Sequence, residues 1–182
     1  MPAVGGFVFD SSGAPVDREI RIYRRDTGAL LGKARSSGGD GDQHFDKVSL
    51  LLHMDGTNGG KTFVDSSLSQ KTVSAAGDAA ISTAKSKWGG ASLLLDGSGD
   101  YLSVQEHDDF VFGTGDFTVE LWINTTTTVE KVLVDQFSGT SIDTWQFSIK
   151  NGTLHWHSSG AYALAGSIPV NTGAWHHVAA TR

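Results

Sequence analysis

The stretch TWQFSIKNGTLHWHSS, residues 144–159, decides the fold. Asn151-Gly152 sits between two alternating runs. Both residues of a two-residue type I′ turn need positive φ, and Asn-Gly supplies that at little cost. With the turn there, Lys150 faces Thr153, Ile149 faces Leu154 and Phe147 faces Trp156. One face then carries Trp145, Phe147, Ile149, Leu154 and Trp156. The other carries Gln146, Ser148, His155 and His157. Turn chemistry and side-chain pattern agree on a single register, because a one-residue slip would send every apolar group to the wrong face. A hairpin with one apolar face belongs in a sandwich, where a second sheet covers that face.

Similar signals extend outward in both directions. DFTVELWINT (116–125) alternates strictly, with Phe117, Val119, Leu121 and Ile123 on one face and Thr118, Glu120, Trp122 and Asn124 on the other. VSLLLHM (48–54) predicts a mostly apolar strand, and ASLLLDGSGDYLSV (91–104) predicts strand, turn, strand. SAAGDAAISTAKSKWGG (74–90) is rich in Ala and is the one place where a short helix is expected. Before these lies a shorter alternating region. Strands are expected at 4–9, 18–24 and 29–35, joined by DSSGAP and DTG turns. Three strands make a small core that needs a neighbour. SSGGDGDQ (36–43) is a break in composition.

The composition agrees with short strands and tight turns: 23 Gly, 3 Pro and 38% hydrophobic residues in a chain of 182. The net charge of −6 argues against a nucleic-acid partner, since phosphate binding needs concentrated Lys and Arg. Cysteine is absent, which excludes disulfides and thiol chemistry. The N-terminus lacks a basic segment followed by an apolar run, so no signal peptide is expected. The apolar runs are too short to insert in a membrane as helices.

Several pieces together resemble a known family. LLLHMDGTNGGKTFVDSS, STAKSKWGGASLLLDGSGDYLSV, FGTGDFTVELWI and GAWHHVAATR, within residues 45–182, are similar to the laminin-G-like, concanavalin A-like lectin/glucanase jelly rolls, in wording like those of tailed-bacteriophage virion proteins. GFVFDSSGAPVDREIRIYRRDTGALLG resembles the opening strands of a carboxypeptidase-regulatory-like sandwich. The expected fold is therefore all-β: a small three-stranded β-meander (1–36, anchor or connector), a Gly-rich linker (37–44), and an antiparallel concanavalin-like jelly-roll sandwich (45–182). The resemblance implies further strands after the WHHVA strand, from a continuation of the chain or from another chain. It also implies that Trp175 packs inside and that His177 is structural.

Candidate sites follow from side-chain chemistry. Paired carboxylates could hydrolyse a glycan, but the four Glu, at 19, 106, 120 and 130, show no same-strand pair, and Glu120 has only Thr118 and Trp122 beside it. No catalytic residue is expected. Asp96, Ser98 and Asp100 alternate in DGSGD and could converge oxygens on Ca²⁺, although a Gly-rich turn capped by Asp explains them more simply. Asp55 and Asp65 offer further oxygens of the same kind, and no other cofactor is expected. His155 and His157 stand two apart and could chelate a transition metal, but no third ligand is evident, so a solvated sheet face is expected. Trp122, Tyr101 and Tyr162 are the aromatics that alternation leaves outside the core, and they could stack on sugars. NTT (124–126) and NGT (151–153) fit the glycosylation pattern, which the hairpin turn explains at the second position.

The resemblance implies a non-enzymatic structural or adhesion component of a phage virion, in a tail fibre or other surface appendage. Expected partners are other virion proteins, copies of the same chain (a trimer by family analogy) and a host surface glycan. Assembly would take place in the host cytoplasm. A capsid decoration protein or a fragment of a carbohydrate-active depolymerase are the alternatives.

Overall fold

The computed structural model describes residues 6–8, 15–24, 44–136, 145–158 and 161–182, with side chains from 44–136, 145–158 and 164–182. Thirteen strands are described: β1 Gly6–Val8, β2 Pro15–Arg24, β3 Val48–Leu52, β4 Val73–Ala76, β5 Ala80–Ser82, β6 Ser92–Leu94, β7 Tyr101–Val104, β8 Phe117–Asn124, β9 Lys131–Gln136, β10 Trp145–Lys150, β11 Thr153–Ser158, β12 Ala161–Ala165 and β13 Trp175–Thr181. The helical elements among the described residues are two single 3₁₀ turns, Phe45–Lys47 and Asp108–Phe110. None is long and apolar enough to cross a membrane.

The strands form an antiparallel β-sandwich. One layer has the order β13-β8-β2-β6-β5, with β3 also paired to β2. The other contains β12-β11-β10-β9 and β1-β7-β4, and β1 runs beside β9 so that these two sheets lie edge to edge. Inward residues of both layers fill one core: Leu50, Leu52, Val119, Leu121 and Ile123 meet Leu102, Phe147 and Ile149, each no more than 2% exposed.

The decisive hairpin has the expected register. Lys150 pairs with Thr153, Ile149 with Leu154 and Phe147 with Trp156. Asn151 and Gly152 take φ of 53° and 80°, as a type I′ turn requires. Its apolar face meets β8 through four aromatic rings. Phe112 stacks on Phe117 at 4.5 Å and on Trp145 at 4.9 Å; Trp156 closes the set against Phe117 at 4.9 Å and Trp145 at 5.2 Å. The Trp145 indole N–H donates to the Phe110 carbonyl at 2.8 Å, so its polar atom is satisfied inside the core.

Three expectations change. The Ala-rich segment holds no helix: it forms β4 and β5, separated by Gly77 at φ 67°. That glycine stops helical propagation, and the flanking Val73 and Ile81 favour strand. Among the described residues, β1 and β2 do not pair with each other. β1 pairs with β7, and β2 lies between β8 and the β3 and β6 strands, so both add to the sandwich. The third expected strand, 29–35, and the segment 36–43 lie outside the described residues. The polar face of the hairpin is only partly solvated: Ser148 is fully buried, and Gln146, His155 and His157 are half-buried.

β3 shows how one edge is closed. All five of its residues are buried. Residues 65–71 run along it, and the buried Asp65 carboxylate accepts from Leu51 N, Ser67 N, Ser67 Oγ and Lys71 N at 2.7–3.0 Å. Lys71 then donates to Ser49 O at 2.7 Å and to Asp109 Oδ2 at 2.8 Å. These bonds occupy backbone groups that an open edge would expose.

Candidate functional site

The outward face of β8 and β13 carries the most suggestive surface. Strand alternation turns Glu120 and Trp122 away from the core, and the register sets His177 directly opposite Trp122. The Trp122 and His177 rings are 5.2 Å apart, and His177 Nε2 lies 3.3 Å from Glu120 Oε2. The loop after β5 adds Trp88, which meets Trp122 edge to face at 6.2 Å and 84° while remaining 53% exposed. Lys87 places its ammonium 4.5 Å from the Trp122 ring centre and 5.2 Å from that of Trp88.

Local chemistry holds this loop. Gly89 and Gly90 both have positive φ, 56° and 90°, and Gly90 N donates to Trp88 O at 2.6 Å. That tight turn needs glycine and leaves the indole projecting. Ser92 Oγ donates to Lys85 O at 2.8 Å, while Thr83 N donates to Asn58 Oδ1 at 3.1 Å. Lys85 Nζ reaches Asn124 Oδ1 at 3.4 Å, and Asn124 Nδ2 donates to Gly173 O at 3.0 Å. Asn124 is thus buried and engaged, which removes the first glycosylation pattern as an acceptor.

Of the three sequence-derived aromatics, only Trp122 belongs to this group. Tyr101 is 39% exposed but lies on β7, in the opposite layer. Tyr162 lies on β12, and its side chain is outside the described residues. Trp175 is corrected: pairing with Asn124 puts it on the outer face, half-buried, while Val178 is the buried residue of that strand. His177 likewise belongs to the outer cluster and not to the core. Trp88 was missed because a loop residue has no period to read; an aromatic between Lys-Ser-Lys and Gly-Gly was the available signal.

A second cluster surrounds DGSGD. Asp96 and Asp100 are joined by Asp78, from the β4–β5 turn, with ligand atoms of all three within 4.8 Å of one another. Ser98 contributes its backbone N–H to Asp96 Oδ1 at 2.7 Å. The buried Asp100 accepts from Asp78 N at 2.8 Å and Asp96 N at 2.9 Å. Burial works against its charge, but these backbone donors and the hydrogen bond from the Asp78 carboxyl outweigh it and hold its pKa below the ordinary value. The Asp78 pKa is raised, first by that hydrogen bond and then by the negative charges of Asp100 and Asp96. Two carboxylates that disfavour each other's charge fit a hard cation, but Asp100 already has both oxygens engaged in bracing two turns. The simpler capped-turn role accounts for what is present.

The remaining candidates resolve individually. Asp65 is an internal acceptor, as described above, and Asp55 is exposed. His155 Nε2 lies 3.2 Å from Thr153 Oγ1, and burial lowers the His157 pKa. Among the described residues, the acidic trio is the group of three that could hold a metal ion.

Comparison with known proteins agrees with this architecture. Residues 96–182 match the model of the concanavalin A-like lectin/glucanases superfamily, described as a laminin-G type domain. That superfamily holds both carbohydrate binders and glycan-cleaving enzymes, and a carbohydrate-binding or adhesive role fits it. No curated protein and no solved structure matches the chain.

Proposed function

We propose that this protein is a non-enzymatic adhesion module of a bacteriophage virion, displayed on a tail fibre or similar appendage, which holds a host surface glycan on the outer face of β8 and β13. The observation that carries the binding reading is Trp88: a large indole half in solvent, fixed by a Gly-Gly turn against Trp122. An indole held out of the surface against a second indole presents a ready platform, and C–H-rich sugar faces suit such an aromatic surface. The virion assignment rests on the resemblance of the jelly-roll motifs. On a particle, many weak copies add through effective concentration, so each site can be modest.

An apolar groove of about 650 Å³ between β13 and β11–β12 supports contact with neighbouring subunits, in a homo-oligomer such as a trimer. Leu164 beside it is 68% exposed. Asp78, Asp96 and Asp100 are the residues that would hold Ca²⁺.

Retention of the purified protein on host cells or on their isolated surface polysaccharide tests the reading. The wild type should be retained and Trp88→Ala should lose retention while keeping its thermal midpoint. A capsid decoration protein would instead sit regularly on the head lattice. A depolymerase fragment would release reducing ends, and Glu120→Gln should abolish that release.

A further inference from the structure

We infer that the sugar held on this face is acidic: a carboxylate-bearing residue, such as a hexuronate or a sialate, whose ring lies on Trp88 and whose carboxylate meets Lys87 and Lys85. The inference rests on the glycan-binding reading of the same site and specifies its ligand class. Lys87 is the central observation. Its ammonium lies near two indole rings, 4.5 Å and 5.2 Å from their centres, and among the described residues no carboxylate pairs with it. A π-face attracts a cation without neutralising it. The two indoles therefore position a full positive charge beside the exposed Trp88, and among the described residues no carboxylate compensates it.

Lys85 adds a second such cation. It is exposed, and its Nζ is 3.4 Å from the neutral Asn124 amide oxygen. Of the acids that the register puts on this face, Glu120 is 3.3 Å from His177 Nε2, on the β13 side of Trp122, and Asp17 stands opposite Trp122 on β2. A chain of net charge −6 thus places two lysines, neither with a carboxylate partner among the described residues, next to its most exposed tryptophan. Such a patch is complementary to an anion, and the indole selects an anion that also has an apolar face.

Calorimetry should be run with oligogalacturonate, oligosialate and hyaluronan fragments, each beside its carboxyl-reduced form. At least one acidic form should bind about tenfold more tightly than its reduced counterpart at low salt, with the gap closing as salt is raised. Lys87→Gln should shrink the gap about three- to fivefold, and Lys85→Gln with Lys87→Gln should close it, with an unchanged thermal midpoint. Equal binding of acidic and reduced forms, lost in Trp88→Ala, would overturn the acidic class and leave the glycan reading standing. An acid preference that survives in the double lysine variant would place recognition elsewhere and also overturn the inference. Binding of neither form would remove both readings.

Discussion

Trp145 offers the sharpest stability test, because three separate contributions meet there. It is 5% exposed, stacks on Phe112 and Trp156, and donates its indole N–H to the Phe110 carbonyl. Replacing a buried aromatic with Ala costs about 3–5 kcal/mol. Each lost ring pair adds about 0.5–1.5 kcal/mol. The orphaned carbonyl adds about 1–3 kcal/mol. Together these approach the whole stability of an ordinary domain, about 5–15 kcal/mol, so Trp145→Ala should fail to fold. Trp145→Phe is the informative variant. It keeps a ring in the stack and removes the N–H and part of the volume, for a cost of about 2–4 kcal/mol. Urea unfolding followed by far-ultraviolet circular dichroism should show a lower midpoint with an unchanged slope. A loss under about 0.5 kcal/mol would refute the stacked core, since it would mean that the indole neither packs nor donates there.

Other expectations concern the acidic turn and the open edge. Gly77→Ala should destabilise by roughly 2–4 kcal/mol in the same assay, because φ is 67° and a Cβ would stand 2.2 Å from Asp100 Oδ1. Asp100 has a lowered folded pKa, so its stabilisation is present above its unfolded pKa and is lost as pH falls through the folded one. Unfolding measured from neutral pH down past the carboxylate range should therefore show a decline that Asp100→Asn lacks. Asp78 acts with the opposite sign, since its raised pKa disfavours the charged form, and Asp78→Asn should be neutral or stabilising at pH 7. Leu164→Glu should shift the protein toward monomer in light scattering if the groove seats another subunit.

Much of this sandwich was legible because two independent signals coincided in it. At residues 144–159 the turn residues and the alternation demand one register. In β8, Phe117 to Ile123 keep one phase over four inward positions. Partners were less legible than strands. Alternation in β2 says which residues share a face but not that β8 lies alongside, so a separate meander was the natural expectation. β13 was ambiguous in phase: Trp175, His177 and Ala179 or His176, Val178 and Ala180 could face inward. The family resemblance favoured Trp175, whereas the ladder to β8 places Val178 inside. The site was half legible. Trp122 lies on a periodic strand, but Trp88 comes from an aperiodic loop, and Asp78 reaches Asp100 across 22 residues. Such contacts depend on how loops close over the sheets.

The central claim is that Trp88 and Trp122 form the contact surface for a sugar. The direct measurement is a nitrogen-15 correlation spectrum of the five indole N–H groups during titration with host surface oligosaccharide. Saturable shifts at Trp88 and Trp122, with the buried Trp145 and Trp156 unmoved, are predicted. Shifts confined to other tryptophans, or none on saturation, would contradict it.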